Sequence, residues 1–389
     1  MTNLKEYKLS ELLEIKYGKD HKNLSTGNIP CYGTGGLMRY VDKYLYNKKS
    51  ILIPRKGSLQ NLYFMDGPFW TVDTLFWSKI NEELVNPKFL YYNIKTLDLS
   101  KLDEGSAVPS LTTKSLNQIS IRIPLLETQK KIASILSSLD DKIEINNEMN
   151  KTLEDIAQTL FKNWFIDFEF PNEEGKPYKS SGGKFVESEL GLIPEGWRVG
   201  GLEEIGVIAS GGTPSRANEE YYTNNGIPWI TPKDLSINKN KFIERGIIDI
   251  TKEGLAKSST KLLPKGTILY SSRAPIGYLA ISKTIVTTNQ GFKSIIPNNF
   301  ENTEFIYQLL KEITPYIESV AGGSTFKEIS SQGMKNIKII IPSNLILKRF
   351  YKMTSFLNIK IESLEKEIQM IKEISKRSLP KLMNGEIEI

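Results

Sequence analysis

The sequence predicts an α+β protein built as a tandem duplication. Two globular units are each followed by a long helix, and the helices pair as an antiparallel coiled coil, giving a pseudo-two-fold tandem repeat. Three observations predict this. Two helical stretches read alike, "DDKIEINNEMNKTLEDIAQTLFKNWF" (residues 140–165) and "LNIKIESLEKEIQMIKEISKRSLPKLM" (residues 357–383). "GSAVPSLTTKSLNQISIRIP" (residues 105–124) and "GSTFKEISSQGMKNIKIIIP" (residues 323–342) repeat at an offset of 218, and the same offset carries Leu139 onto Leu357 and "KIE" at Lys142 onto "KIE" at Lys360. Upstream the offset drifts: Ile15 in "LLEI" matches Ile205 in "LEEI" at 190, Pro30 matches Pro228 at 198, Ile51 matches Ile268 at 217, and Thr71 matches Thr287 at 216. Insertions thus accumulate in the second copy, while the helices keep their register.

These matches set the boundaries. Residues 1–124 form the first globular unit and 125–166 its helix. Residues 167–193, rich in Pro, Gly, Ser and charge, read as a connector with little regular structure. Residues 194–342 form the second unit, and 343–389 its helix and tail.

In the second helix Phe350, Leu357, Ile361, Leu364, Ile368, Ile371 and Leu382 fall on a 3,4 alternation, with Thr354, Ser375 and Ser378 at the remaining positions. That is a heptad seam. Carried back by 218 it gives Ile132, Leu136, Leu139, Ile143, Asn146, Asn150, Leu153, Ala157 and Leu160. Each helix therefore has its twin as natural partner, although an amphipathic helix also serves simply to cover its own domain. A parallel pair would crowd both globular units at one end, whereas an antiparallel pair places one at each end. Asn146 and Asn150 either sit buried and fix the register or face solvent; both readings stand at this point. Helices of about 35 residues are roughly 50 Å long, comparable to one and a half turns of B-DNA at roughly 34–36 Å per turn. Two similar units held at that separation have the geometry of a two-part DNA reader.

The composition agrees. Among 389 residues, 51 Lys and Arg against 45 Asp and Glu give a net charge of +6, which permits a nucleic-acid partner. A single cysteine, Cys31, and a single histidine, His21, leave no intramolecular disulfide and no structural zinc site, as expected of a reducing compartment. The N-terminal stretch has charges where a signal peptide needs an apolar core, and no apolar run approaches the ~18 residues of a membrane span. A cytoplasmic protein without membrane contact is expected.

No catalytic pattern emerges. "YGTGG" (residues 32–36) lacks the GK[ST] ending of a phosphate-binding loop, and its counterpart in the second unit reads "WITPKD". A glycine-rich cofactor loop and a P-P-[YF] tetrapeptide are both missing, and nothing resembles a nucleophile elbow near His21. What the loops supply is donors for phosphates and base edges. In the first unit these are Lys19, Lys22, Thr34, Arg39, Arg55, Lys56 and Ser58, among Tyr17, Tyr32 and Tyr40. In the second they are Thr213, Ser215, Arg216, Lys233, Ser271, Ser272, Arg273, Asn289 and Gln290. Arg and Lys suit phosphate and guanine, Asn and Gln suit adenine, and hydroxyls suit either. A structural adaptor joining two protein-binding domains is the competing class, and the salt dependence of DNA affinity separates the two.

"LEDIAQTLFKNWFIDFEF", followed by "GKPYKSSGGKFVESELGLIPEGW" and "GVIASGGTPSRANEEYY", closely resembles the central conserved region and second-domain start of the specificity subunits of type I restriction-modification systems. The resemblance covers essentially the whole chain, because the alternation of variable domain and conserved helix is that family's plan. The first unit departs from it only in lacking an "IPEGW" start; it begins at "EYKLSELLEI". The resemblance implies two target recognition domains, each reading one half of a bipartite double-stranded DNA site, with the helices setting the spacer. It further implies two modification subunits docked on the helical regions, carrying adenine N6-methyltransferase chemistry and S-adenosylmethionine, and restriction subunits using ATP. No cofactor is implied on this chain. Because the aligned loops of the two units differ, an asymmetric target is expected.

Overall fold

The computed structural model describes residues 4–323 and 327–387; residues 324–326, within the repeated block 323–342, lie outside this set. The chain divides into two compact units, Met1–Ile145 with Ile368–Ile389, and Asn146–Glu367. The division cuts both long helices, so neither unit is a contiguous stretch of sequence.

Unit 1 runs β1 (Lys5–Lys8), α1 (Leu9–Leu12), β2 (Leu13–Tyr17), β3 (Ile29–Gly33), β4 (Gly36–Val41), β5 (Tyr46–Asn47), β6 (Ser50–Pro54), β7 (Tyr63–Met65), β8 (Pro68–Thr71), β9 (Leu75–Ile80), α2 (Pro87–Lys95), α3 (Thr113–Asn117), β10 (Ser120–Ile123) and the start of α4 (Leu126–Phe161). One sheet has the order β2-β9-β6-β7 and another β4-β3-β8-β5, while β1 pairs with β10. The wholly buried strand "SILIP" of β6 sits under α2, whose start is set by Pro87 in the first turn and by Asn86, whose side chain accepts from the Phe89 amide. The core is closed by the far end of the chain: Leu382 and Met383 pack in one cluster with Ile132, Ala133 and Leu136 of α4 and with Phe89 and Leu90 of α2.

Unit 2 contains the end of α4, then β11 (Phe185–Ser188), β12 (Gly191–Pro194), β13 (Arg198–Gly201), β14 (Gly206–Ser210), β15 (Tyr222–Thr223), β16 (Ile227–Ile230), α5 (Pro232–Ile237), β17 (Phe242–Ile243), β18 (Ile248–Ile250), α6 (Lys252–Ala256), β19 (Ile268–Ser272), β20 (Ile276–Ser282), β21 (Thr287–Thr288), β22 (Lys293–Pro297), α7 (Thr303–Val320), α8 (Ser331–Lys335), β23 (Lys338–Ile341) and the start of α9 (Asn344–Met383). Its sheets repeat those of unit 1. The order β14-β22-β19-β20-β17 matches β2-β9-β6-β7 with one strand added, and β13 pairs with β23 as β1 does with β10. The parallel pair β16–β21 matches the parallel pair β3–β8.

This pairing corrects one sequence match. Lys5 lies opposite Ile123 and Arg198 opposite Ile341, so the starts of the two copies superpose at an offset of 193. Ile205 is then the counterpart of buried Leu12, not of Ile15. "KEYKLSEL" and "RVGGLEEI" share little except Leu9/Leu202, Glu11/Glu204 and the apolar pair Leu12/Ile205, so residue identity alone slipped the register by three.

Within each unit the two helices run antiparallel. In unit 1 residues 132–136 of α4 pack with 382–383 of α9, whereas the more advanced Asp140 and Ile143 line a cleft with Lys372, Ser375 and Lys376. In unit 2 the Asn146 Nδ2 donates to Glu367 Oε2 at 2.9 Å, and Phe161 reaches Phe350 with ring centroids 6.4 Å apart. The partner number falls as the α4 number rises. Ile132, Ile361, Leu364, Ile368 and Ile371 are buried, and Leu139, Ile143, Leu153, Leu160 and Leu357 half-buried. Asn146 is fully buried, so of its two readings the structure has the seam one.

Residues 167–184 of the connector carry turns and a single bridge but no helix or strand, and their aromatic side chains are nonetheless packed in place. After α4 the helix widens into a π-turn over Lys162–Ile166, which buries Trp164 and Phe165 against Phe350 and Phe305. Phe170 then stacks between Tyr178 and Trp197, with centroids at 4.5 and 4.8 Å. The Arg349 Nη1 donates to the Pro171 carbonyl at 3.1 Å, and β11 and β12 form a hairpin with Gly191 in the left-handed region. Pro, Gly and Ser here mark tight turns between aromatic anchors, a pattern that a composition count reads as flexibility.

Unit 2 also buries charge. The Lys241 ammonium is wholly enclosed, 2.8 Å from Glu304 Oε2 and 2.7 Å from Asn358 Oδ1, with the Tyr307 ring 4.8 Å away. Burial raises the Glu304 carboxyl, but Lys241 and its hydrogen bonds win and leave it below the usual range. Glu365 has no such cation. Its Oε1 accepts from the Lys241 amide at 2.7 Å, while its buried Oε2 has no hydrogen-bond partner. The residue lines a polar cavity of about 270 Å³ with Asn150, Glu154 and Lys311. Burial first, and the Glu154 charge in addition, push its carboxyl up to about 7 against the two backbone amides and Lys283. A carboxyl raised above its unfolded value of about 4.3 stabilises the folded state fully below that value and loses the contribution as pH climbs to 7, a penalty on the order of 3 kcal/mol at alkaline pH. Glu365→Gln keeps the Oε1 acceptor without the charge. It is expected to raise Tm by several °C at pH 8, with the gain vanishing by pH 4; a pH-independent change in calorimetry would contradict this account.

Candidate nucleic-acid interface

In unit 1 the candidate loops converge on the turn between β8 and β9. The Thr74 carbonyl accepts from the Arg55 and Lys56 amides at 2.9 and 3.2 Å, and from the Thr34 hydroxyl at 2.9 Å. The Thr34 hydroxyl also lies 2.9 Å from the Lys56 carbonyl, and its own carbonyl accepts from Asn61 Nδ2 and the Tyr63 hydroxyl at 2.9 Å each. Lys19 joins through its amide to the Thr71 carbonyl at 2.9 Å. The neighbouring Gly18 is required there, because a Cβ would stand 2.0 Å from the Val72 carbonyl oxygen.

These bonds are made by backbone and by the Thr34, Asn61 and Tyr63 side chains, so the Lys19, Lys56 and Ser58 side chains are left exposed. Arg55 lies over the Tyr17 ring at 5.4 Å and donates to the Asp73 carbonyl at 3.0 Å. Burial pushes the Tyr32 and Tyr63 hydroxyls up, so both remain neutral donors. Lys22 and Arg39 share no hydrogen bond with this group. Lys22 is exposed, and Arg39 Nη2 is engaged by the Leu24 carbonyl at 2.8 Å.

In unit 2 the loops 211–216, 231–233 and 288–291 meet. The Gly212 amide donates to the Thr288 carbonyl at 2.9 Å, the Trp229 indole donates to the Gly212 carbonyl at 3.0 Å, and the Thr213 hydroxyl donates to Gln290 Oε1. The Asn289 amide donates to the Ile230 carbonyl at 3.2 Å, and its Oδ1 accepts from the Gly291 amide at 2.9 Å. Ser215, Arg216, Lys233 and Gln290 are exposed around this junction, with Thr213 and Asn289 half-buried.

Three expected residues fall outside it. Ser271 and Ser272 are fully buried on β19, where the Ser271 hydroxyl bonds the Pro275 carbonyl and the Tyr278 amide and the Ser272 hydroxyl bonds the Gly291 carbonyl. Ser271 holds the turn into β20 and Ser272 holds the 288–291 loop, and neither is exposed to a ligand. In "ILYSSRAP" the polar "SS" looks like a loop, but it completes a central strand whose neighbours supply the hydrogen bonds. Arg273 is paired with Glu328 at 3.3 Å. Thr74, which gathers the first group, carried no sequence signal beyond lying in the "TVDTLFW" repeat.

Among the described residues no group of three or more His, Cys, Asp or Glu is placed to hold a metal ion, and no helix is long and apolar enough to cross a membrane. A duplicated scaffold that presents cations, hydroxyls and amides from anchored loops defines a recognition protein. Residues 1–155 and 194–373 match the family described as the type I restriction modification DNA specificity domain, and the chain belongs to that family of specificity subunits. It is 30% identical over 365 residues to the HindI specificity subunit of Haemophilus influenzae, covering 79% of each protein. It is 40% identical over 194 residues to the MjaIX specificity subunit of Methanocaldococcus jannaschii, a match spanning 49% of this chain and 45% of that relative, so less than half of that relative's length is covered. The fold is shared with a type I restriction-modification S subunit from M. genitalium, at a TM-score of 0.62 and 17% identity over 98% of this chain and 96% of that one.

The buried serines and the exposed lysines separate structural from surface roles. Ser271→Ala is expected to lower the unfolding free energy by about 1–3 kcal/mol in urea titration, because it strands a buried amide and a carbonyl. Lys233→Ala should change it by less than about 0.5 kcal/mol. Equal effects would overturn the assignment.

Proposed function

We propose that this chain is the DNA-reading subunit of a type I restriction-modification assembly, acting in the cytoplasm, in which each unit reads one half of a bipartite, asymmetric site. The observation that carries this reading is the pair of loop junctions. They stand on equivalent strands of the duplicated fold, are anchored by backbone bonds, and leave Lys19, Lys56 and Ser58 on one unit and Arg216, Lys233 and Gln290 on the other facing outward. The two sets differ in chemistry, which favours different half-sites.

The paired segments of α4 and α9 set the spacing between half-sites and carry two modification subunits. Apolar side chains without partners on these helices support docking: Met149 and Ile156 lie seven apart on one face of α4, and Met353 and Phe356 three apart on α9, with Phe356 70% exposed. S-adenosylmethionine belongs to those partners and ATP to restriction subunits that join them, and this chain supplies only the address.

The test is to co-express the chain with the modification subunit encoded beside it in a host lacking adenine methylation and to map N6-methyladenine by long-read sequencing. A bipartite asymmetric motif that disappears without this chain is expected; a palindromic motif, or none despite a stable complex, would refute the reading. Removing one heptad from each helix should shorten the gap in that motif or abolish methylation, and an unchanged gap would sink the spacer role.

A further inference from the structure

The hairpin of β3 and β4 carries a feature that base-edge reading does not use. Cys31 faces Arg39, but Tyr32 faces Leu37, so Met38 is an extra residue in β4. The bulge breaks the in–out alternation and turns two adjacent apolar side chains outward, Leu37 at 48% and Met38 at 54% exposure, with exposed Tyr40 beside them. Met38 is also seated on its opposite strand: a Cβ at Gly33 would come within 2.7 Å of its sulfur, so that position accepts only glycine without displacing the methionine.

The tip is rigid. Thr34, three residues before Leu37, is held by Thr74, Asn61, Tyr63 and the Lys56 carbonyl, and the cations Arg55 and Lys56 lie at that same anchor. Two exposed apolar side chains on a fixed, bulged hairpin, next to a cationic cluster, match an occupant that is polyanionic outside and apolar between its layers. A protein partner fits the exposed Lys56 less well, because nothing in an apolar patch demands it, whereas Arg55 is already paired with Asp73 at 3.8 Å. The geometry points to Leu37 and Met38 as an apolar wedge that enters between base pairs of the half-site read by unit 1, unstacking one step while Lys56 holds a flanking phosphate.

This rests on the DNA-reading function proposed above. Unit 2 has α5 following β16 where unit 1 has this hairpin, so the distortion belongs to one half-site only.

The experiment uses the full chain with its modification subunits and duplexes carrying the mapped motif, with 2-aminopurine placed at successive positions across both half-sites. Base flipping by the modification subunits raises fluorescence at the methylatable adenine of each half-site; the wedge should add a rise at one further step, in the half-site of unit 1 only, that persists without the methyl donor. The double variant Leu37→Ala with Met38→Ala should abolish that rise and weaken specific affinity roughly 10- to 100-fold. The slope of log affinity against log salt should stay unchanged, since no phosphate contact is lost. Leu37→Trp, which keeps apolar bulk, should retain the signal. Absence of that additional rise with the native chain, or a double variant with native affinity and native fluorescence, overturns the wedge. So does a double variant that loses its modification subunits while keeping DNA affinity, which would make the patch a protein dock. Lys56→Ala distinguishes the two levels of the proposal: a salt slope smaller by about 0.9 upholds DNA reading even if the wedge fails, whereas a native chain whose binding ignores salt removes both.

Discussion

Everything in this fold depends on α4 and α9 lying side by side, because each core is finished by a helix end from a remote part of the sequence. In unit 1, Leu382 and Met383 complete the cluster that holds Ile132, Leu136 and Phe89, and Asn93 Nδ2 lies 3.8 Å from the Met383 sulfur. In unit 2, Phe161, Trp164 and Phe165 close on Phe350 and Phe305. Neither globular part has a complete apolar core from its own contiguous stretch. The pairing is therefore not a strut added to finished domains. It is where much of the stabilising burial happens, and its sequence separation makes the fold rich in non-local contacts.

That constraint explains which parts of the two copies kept their register. A seam position must fit a partner helix and a core together, so any insertion other than whole heptads between Ile132 and Leu160 would turn the apolar stripe away from both. The loop junctions obey a looser rule. Their anchors are mostly main-chain groups, such as the Thr74 carbonyl in unit 1 and the Thr288 and Gly212 carbonyls in unit 2, and nearly any side chain leaves a main-chain bond intact. Outward side chains can then differ between copies without disturbing the core.

The same division decides what was legible in the sequence. The duplication, the seam residues and the antiparallel order could be read because periodic apolar spacing is a direct imprint of packing. Lys56, Lys233 and Gln290 could be picked as surface donors from residue type, whereas Ser271 and Ser272 could not be told from loop hydroxyls. Whether a serine faces a ligand or a neighbouring strand depends on β22 and β20, whose pairing no local pattern announces. The buried Lys241–Glu304 pair and the stranded Glu365 were equally silent, since burial of a charge is decided by elements more than 50 residues away. The turns of the connector were visible in its composition and its anchors were not: that Phe170 stacks between Tyr178, eight residues on, and the more distant Trp197 follows from the packing alone.

The asymmetry between the copies has a structural origin beyond side-chain choice. Both begin the loop junction from a parallel strand pair, β3–β8 or β16–β21. Unit 1 leaves β3 through a bulged hairpin into β4 and β5, while unit 2 leaves β16 through α5, β17, β18 and α6 before rejoining the common plan at β19. A two-stranded ribbon and a helical turn present different shapes and different backbone groups. No set of point substitutions converts one into the other. Divergence by insertion on either side of β16, beside helices that kept their register, is enough to give the two copies of one duplicated fold unlike loop surfaces.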